Sequence, residues 1–114
     1  MPSYAIAHLR DVKFGDAIVE YLAAIDATLA PFGGRYLIHG GTLTRIEGRW
    51  PGGDLIVIAF PDRAALDAWY ASDAYRRILP LRTENSTGDV VFVDGVGTSH
   101  RALDVLSPPN TCAD

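Results

Sequence analysis

Cysteine, lysine and methionine are almost missing from this chain, which holds one of each: Cys112, Lys13 and Met1. A single cysteine closes no intrachain disulfide and assembles no thiolate metal site, so a reduced, cytoplasmic setting is expected. With Lys13 as its only lysine and a formal charge of −4, the chain lacks the clustered cations that neutralise phosphates, which argues against nucleic acid as a partner. No apolar run approaches the roughly 20 residues that span a bilayer. The start Met-Pro-Ser-Tyr has no basic stretch followed by an apolar one, so no membrane association and no export are expected. Neither Gly-x-Gly-x-x-Gly nor Gly-x-x-x-x-Gly-Lys occurs, leaving nucleotide cofactors unsupported. A Gly-x-Ser-x-Gly elbow is also missing, which disfavours serine-hydrolase chemistry. His8, His39 and Glu47 are the only group with any appeal as metal ligands, and they lack a His-x-x-x-His type of repeat; no bound metal is expected.

What is present describes one globular domain. The chain is 114 residues long, too short for two cores, and its 48% apolar and 21% charged content is that of a folded protein rather than a disordered one. Residues 4–10 are a short apolar run without helical spacing, a first strand. From Asp16 the period changes: Ile18, Tyr21, Leu22, Ile25 and Leu29 share one helix face, with Asp16 a candidate N-cap and Pro31, Gly33 and Gly34 as the stop. Residues 35–46 read as a second, bent strand in which Gly40 and Gly41 permit a bulge. Pro51, Gly52 and Gly53 form a turn into a third strand, residues 55–60. Pro61 and Asp62 open a helix carrying Leu66, Trp69 and Tyr70. Ser72 caps another, carrying Tyr75, Ile78, Leu79 and Arg82, in which Pro80 predicts a kink or an early stop. Gly88 and Asp89 return the chain to a last strand, residues 90–94.

The order βαββαβ predicts an α+β, ferredoxin-like sandwich with both helical layers on one sheet face. The other face is then bare and apolar, and the simplest cover is the same face of a second copy, so a homodimer is expected. The domain occupies residues 1–97. Residues 98–114, with Pro108, Pro109 and Asn110, are expected to be an arm or a disordered end whose Leu103, Val105 and Leu106 can dock on a partner.

Several short motifs carry a family resemblance: Gly33-Gly34-Arg35-Tyr36-Leu37 with Gly40-Gly41, Glu47-Gly48, Phe60-Pro61, Trp69-Tyr70 with Ser72 and Tyr75, and Leu81-Arg82. Over residues 3–96 the chain resembles the DUF1330 family, of the dimeric α+β barrel superfamily. The resemblance implies two sheets face to face in a dimer, each with a cavity between the sheet and its loops or helices. It implies no particular reaction: related barrels include cofactor-free monooxygenases, polyketide cyclases, muconolactone isomerases and heme-degrading proteins.

Among single residues, His39 stands out, because imidazole moves a proton near neutral pH and flanking glycine lets a ligand approach the backbone; the alternative is an exposed edge histidine. His8 is a weaker partner for it. Tyr75 and Arg82 lie seven residues apart, two helical turns, so a hydroxyl and a guanidinium share a face and can hold a carboxylate, enolate or phenolate. The structural alternative has Tyr75 packed under the sheet and Arg82 paired with Glu84 or Asp89. Glu47 would serve as a base if buried, Ser72 as a polar contact or simply a cap, and Trp69, with Trp50, Tyr36 and Tyr70, as part of an aromatic wall. The expected function is cofactor-free acid–base chemistry (cyclase, isomerase or oxygenase type) on an aromatic or polyketide-like metabolite. The alternative is a non-catalytic small-molecule-binding or stress-response dimer.

Overall fold

In the computed structural model, residues 1–106 are described and form a four-stranded antiparallel sheet with three helices on one side. The elements are β1 (Ser3–Arg10), α1 (Asp16–Leu29), β2 (Arg35–His39), β3 (Asp54–Phe60), α2 (Arg63–Ala71), α3 (Asp73–Thr83) and β4 (Thr87–Asp94). The strand order β2-β3-β1-β4 is that of the expected ferredoxin-like βαββαβ unit, with β1 paired to both β3 and β4.

Strand alternation sorts the side chains into two sets. Ser3, Ala5, Ala7 and Leu9 of β1 face the helices, in register with Phe60, Ile58 and Ile56 of β3 and with Phe92 and Val90 of β4. Tyr4, Ile6 and His8 point the other way, beside Ala59, Val57 and Leu55 and beside Val93, Val91 and Asp89. The core lies on the helix side: Leu66, Phe60, Tyr75, Leu29, Ile25 and Trp69 are each at most 3% exposed. Among the described residues no α-helix covers the opposite face, and Val91, Val93 and Ile38 stand 55%, 44% and 41% exposed there.

Four local expectations are corrected. The second strand ends at His39, not Ile46, because Gly40 and Gly41 take the left-handed conformation (φ 73° and 83°) and turn the chain out of the sheet; residues 40–53 have no regular structure. The bulge falls earlier, at Leu37, between the pairs Tyr36↔Ile58 and Ile38↔Val57. Helix α1 is capped by Gly15, with Asp16 already its first residue, where a negative charge still suits the helix dipole. Helix α3 runs through Pro80 to Thr83 rather than stopping. Its last turn is tied off by side chains, Asn85 Nδ2 donating to the Leu81 carbonyl (2.8 Å) and Ser86 Oγ to that of Arg82 (2.7 Å), which satisfies carbonyls a helix end otherwise leaves unpaired.

Beyond β4, residues Ala102–Leu106 form a short 3-10 turn with Leu103, Val105 and Leu106 exposed. The rest of the expected arm, including Cys112 and the Pro108–Asn110 stretch, lies outside the described residues. Among the described residues no helix is long and apolar enough to cross a membrane.

Candidate functional site

A cavity of about 220 Å³ lies between the helix-facing side of the sheet and the helices. It has room because the middle of the central strand contributes small side chains there: Ala5 and Ala7 of β1 lie between Ile56 and Ile58 on β3 and Phe92 and Val90 on β4, with Leu9 at the strand's end also in the lining. Ile18, Tyr21 and Ile25 of α1 form one wall, and Trp69, Tyr70, Tyr75 and Arg82 another. Phe14, His39 and Asp54, all exposed, mark the mouth.

Three polar side chains meet in this largely apolar space. The hydroxyls of Tyr21 and Tyr75 are hydrogen-bonded at 2.8 Å, their rings edge-to-face at 69° with centroids 6.2 Å apart. The Arg82 guanidinium carbon is 6.0 Å from the Tyr21 ring centroid. Two turns of α3 separate Tyr75 from Arg82, which is why both reach the same cavity. Burial, and then the nearness of Tyr75, push the Tyr21 hydroxyl far above the ordinary tyrosine range, with Arg82 pulling weakly the other way. Burial opposes the charge on Arg82, but the Tyr75 and Tyr21 hydroxyls more than offset it and raise its pKa, so this cation persists. The ion pair expected as the structural alternative is absent: among the described residues Arg82 meets neither Glu84 nor Asp89, and Asp89 is bound instead by Arg10 at 3.2 Å.

His39 reaches the mouth because of the bulge. Counting by twos from Tyr36, which faces the helices, would send residue 39 to the bare face. The extra residue at Leu37 reverses the parity, so that His39 lies across from Ile56 and shares the helix side with Tyr36. The two rings stack at 4.4 Å and 13°. Burial, with Asp26 and Tyr75 as lesser causes, pushes the Tyr36 hydroxyl up to about 12.

The remaining sequence candidates are not gathered here. His8 is on the bare face, on the other side of the sheet from His39. Arg10 donates to its Nδ1 (2.9 Å), leaving Nε2 to donate to the Gly52 carbonyl, and Trp50 packs on its ring at 4.8 Å. It fastens the 40–53 loop to β1 and does not meet His39. Glu47 is exposed within that loop and does not line the cavity. Ser72 Oγ donates to the Trp69 carbonyl (2.7 Å) and accepts from the Tyr75 amide (3.3 Å), the capping geometry for α3, and it does not line the cavity. Trp69 lines the cavity with its ring, its Nε1 donating to Thr28 Oγ1 at 3.0 Å in the core. No three His, Cys, Asp or Glu side chains come together as a metal site among the described residues.

Sequence reasoning missed Tyr21, reading it only as part of the buried face of α1. The available signal was chemical: a tyrosine on such a face carries a hydroxyl that needs a partner inside.

Several solved structures share this fold, three of them as follows. RPA0582, a protein of unknown function from Rhodopseudomonas palustris, superposes with a TM-score of 0.64 at 14% identity, over 84% of this chain and 83% of its own. A dimeric ferredoxin-like protein of unknown function from Jannaschia sp. CCS1 gives 0.61 at 18% identity, over 83% of this chain and 100% of its own. HapK from Hahella chejuensis gives 0.56 at 21% identity, over 90% of this chain and 99% of its own. At these identities the likeness is one of fold alone. Among curated proteins none matches the chain. The sequence match is to the profile described as a domain of unknown function, DUF1330, over residues 2–96, and the chain belongs to that family.

Proposed function

We propose that this protein is a cytoplasmic homodimer whose helix-side cavity binds an aromatic or polyketide-like metabolite and carries out cofactor-free acid–base chemistry of the cyclase, isomerase or oxygenase type. The observation that carries this reading is the convergence of the Tyr75–Tyr21 hydroxyl pair and the Arg82 guanidinium in an apolar cavity with an imidazole at its mouth. His39, exposed and stacked on Tyr36, takes or returns the proton. Tyr75 and Arg82 steady the oxygen on which negative charge develops, in a setting where low polarity strengthens both contacts. Support for the dimer comes from the bare face bearing Ile6, Val57, Val91 and Val93, and from the Jannaschia neighbour described as dimeric.

The test is turnover of a candidate substrate by His39→Ala, Tyr75→Phe and Arg82→Ala proteins. Each is expected to lose activity by roughly 100-fold or more, the usual weight of an acid–base group or an oxyanion donor. Full activity in all three sinks the assignment. Val91→Asp, at a position exposed in the protomer, should yield monomers in sedimentation; an unchanged dimer would place the interface elsewhere. The second reading is a non-catalytic binder or stress-response dimer, favoured by a lining that is apolar apart from this polar group and the mouth. It predicts ligand binding that survives His39→Ala with no turnover by the unaltered protein.

A further inference from the structure

The polar end of the cavity holds more hydrogen-bond donors than acceptors. Of the two protons on Tyr21 and Tyr75, one is used in their 2.8 Å bond and the other remains to be given. The Arg82 guanidinium, five N–H donors on a persistent cation, faces the Tyr21 and Tyr75 hydroxyl oxygens and has no carboxylate partner among the described residues, so most of its donors remain to be used. Such an excess asks for a group that only accepts and carries negative charge.

The space in front of those donors is limited. At about 220 Å³ it exceeds the roughly 150 Å³ cavity that holds a benzene molecule, but falls short of the roughly 300–1,000 Å³ common for sites of drug-sized ligands. Ile56, Ile58, Trp69 and the Ala5 and Ala7 methyls offer a ring nothing but apolar contact.

We propose that the cavity takes a one-ring organic acid in its ionised form, with the anionic oxygens at Arg82 and the Tyr21–Tyr75 pair and the ring against Trp69 and Ile58. The proposal rests on the reading of this cavity as the ligand site. It narrows that reading to single-ring anions and excludes polycyclic ones. Tyr21 becomes a binding residue alongside Tyr75 and Arg82.

Titration calorimetry of the full chain at neutral pH tests it with three probes: benzoate, its neutral counterpart benzyl alcohol, and anthracene carboxylate. Benzoate is expected to bind roughly tenfold or more tightly than benzyl alcohol, the weight of a hydrogen bond to a charged group. Anthracene carboxylate is expected not to bind. Arg82→Gln should erase the preference for the acid and Arg82→Lys should keep part of it, with circular dichroism confirming that both fold; the wild-type comparison holds even if one does not. Equal affinity for benzoate and benzyl alcohol overturns the anion proposal while leaving the cavity a ligand site. Anthracene carboxylate binding as well as benzoate overturns the size limit. Binding of none of the three overturns the proposal together with the reading beneath it.

Discussion

Removing one hydroxyl from the Tyr21–Tyr75 pair should cost more than removing both. Tyr75 is 2% exposed and Tyr21 8%, and their hydroxyls meet at 2.8 Å. Tyr21→Phe keeps the ring and its edge-to-face contact but strands the Tyr75 oxygen, and Tyr75→Phe does the converse. Leaving one buried hydroxyl without its partner costs about 1–3 kcal/mol, whereas replacing both members by apolar groups of the same shape is close to neutral. The double variant should therefore be no less stable than the worse single one, a coupling of at least about 1 kcal/mol. Urea unfolding at neutral pH reads the cycle, with protomer concentration held constant because association adds to apparent stability. Single costs that add in the double variant, to within about 0.5 kcal/mol, would refute the reasoning. The hydroxyls would then be independent of each other, and the donor set at the head of the cavity would have to be redrawn.

Two other perturbations follow from the same core. The Tyr36 hydroxyl, raised by burial from 10.0 to about 12, is held neutral by the fold; the stability this contributes is whole below the unfolded value and disappears as pH rises through the folded one. An alkaline titration should thus show loss of stability across that window, with the loss smaller in Tyr36→Phe, where the likewise raised Tyr21 hydroxyl still contributes; identical alkaline profiles for the two proteins would refute it. At Gly34 a methyl group would lie 2.8 Å from both Leu29 Cδ2 and Phe60 Cε2, two side chains each 2% exposed, so Gly34→Ala should destabilise by about 1–3 kcal/mol. An unchanged urea midpoint would mean that the packing there yields more easily than these distances imply.

The layered architecture was legible because each element carries its own period. The face Ile18, Tyr21, Ile25 and Leu29 could only be one side of a helix, and the turn chemistry at Pro31-Phe32-Gly33-Gly34 and at Asp62 fixed where helices stop and start, down to the Asp62 side chain accepting from the Ala65 amide at 2.8 Å. Boundaries were less legible where a remedy comes from residues past the element. Proline alone predicts a broken α3, yet the helix runs on to Thr83, where Asn85 and Ser86, outside it, hold the Leu81 and Arg82 carbonyls of its end. The cavity was legible only in part. Tyr75 and Arg82 follow from helix geometry within one segment, whereas Tyr21 lies 54 residues from Tyr75 and joins it only through the packing of α1 on α3.

The two histidines show where local pattern stops being informative. In an unbroken β2, His39 would stand on the opposite face from Tyr36, and with His8 it would have made a histidine pair on the bare side of the sheet. One extra residue at Leu37 changes that parity and brings His39 to the cavity mouth, while His8 stays behind to hold the Gly52 turn. A bulge leaves no residue-type signature unless it needs glycine, and Leu37 is not glycine; the glycines that seemed to mark it, Gly40 and Gly41, serve to end the strand. Which histidine can reach a bound ligand is thus set by a register shift against β3, a property of the paired strands and not of either strand alone. The acid–base role argued for His39 depends on that shift: an unbroken register with Leu37 across from Val57 would carry the imidazole to the other face, whereas deletion of Leu37 removes the extra residue and keeps it on the helix side.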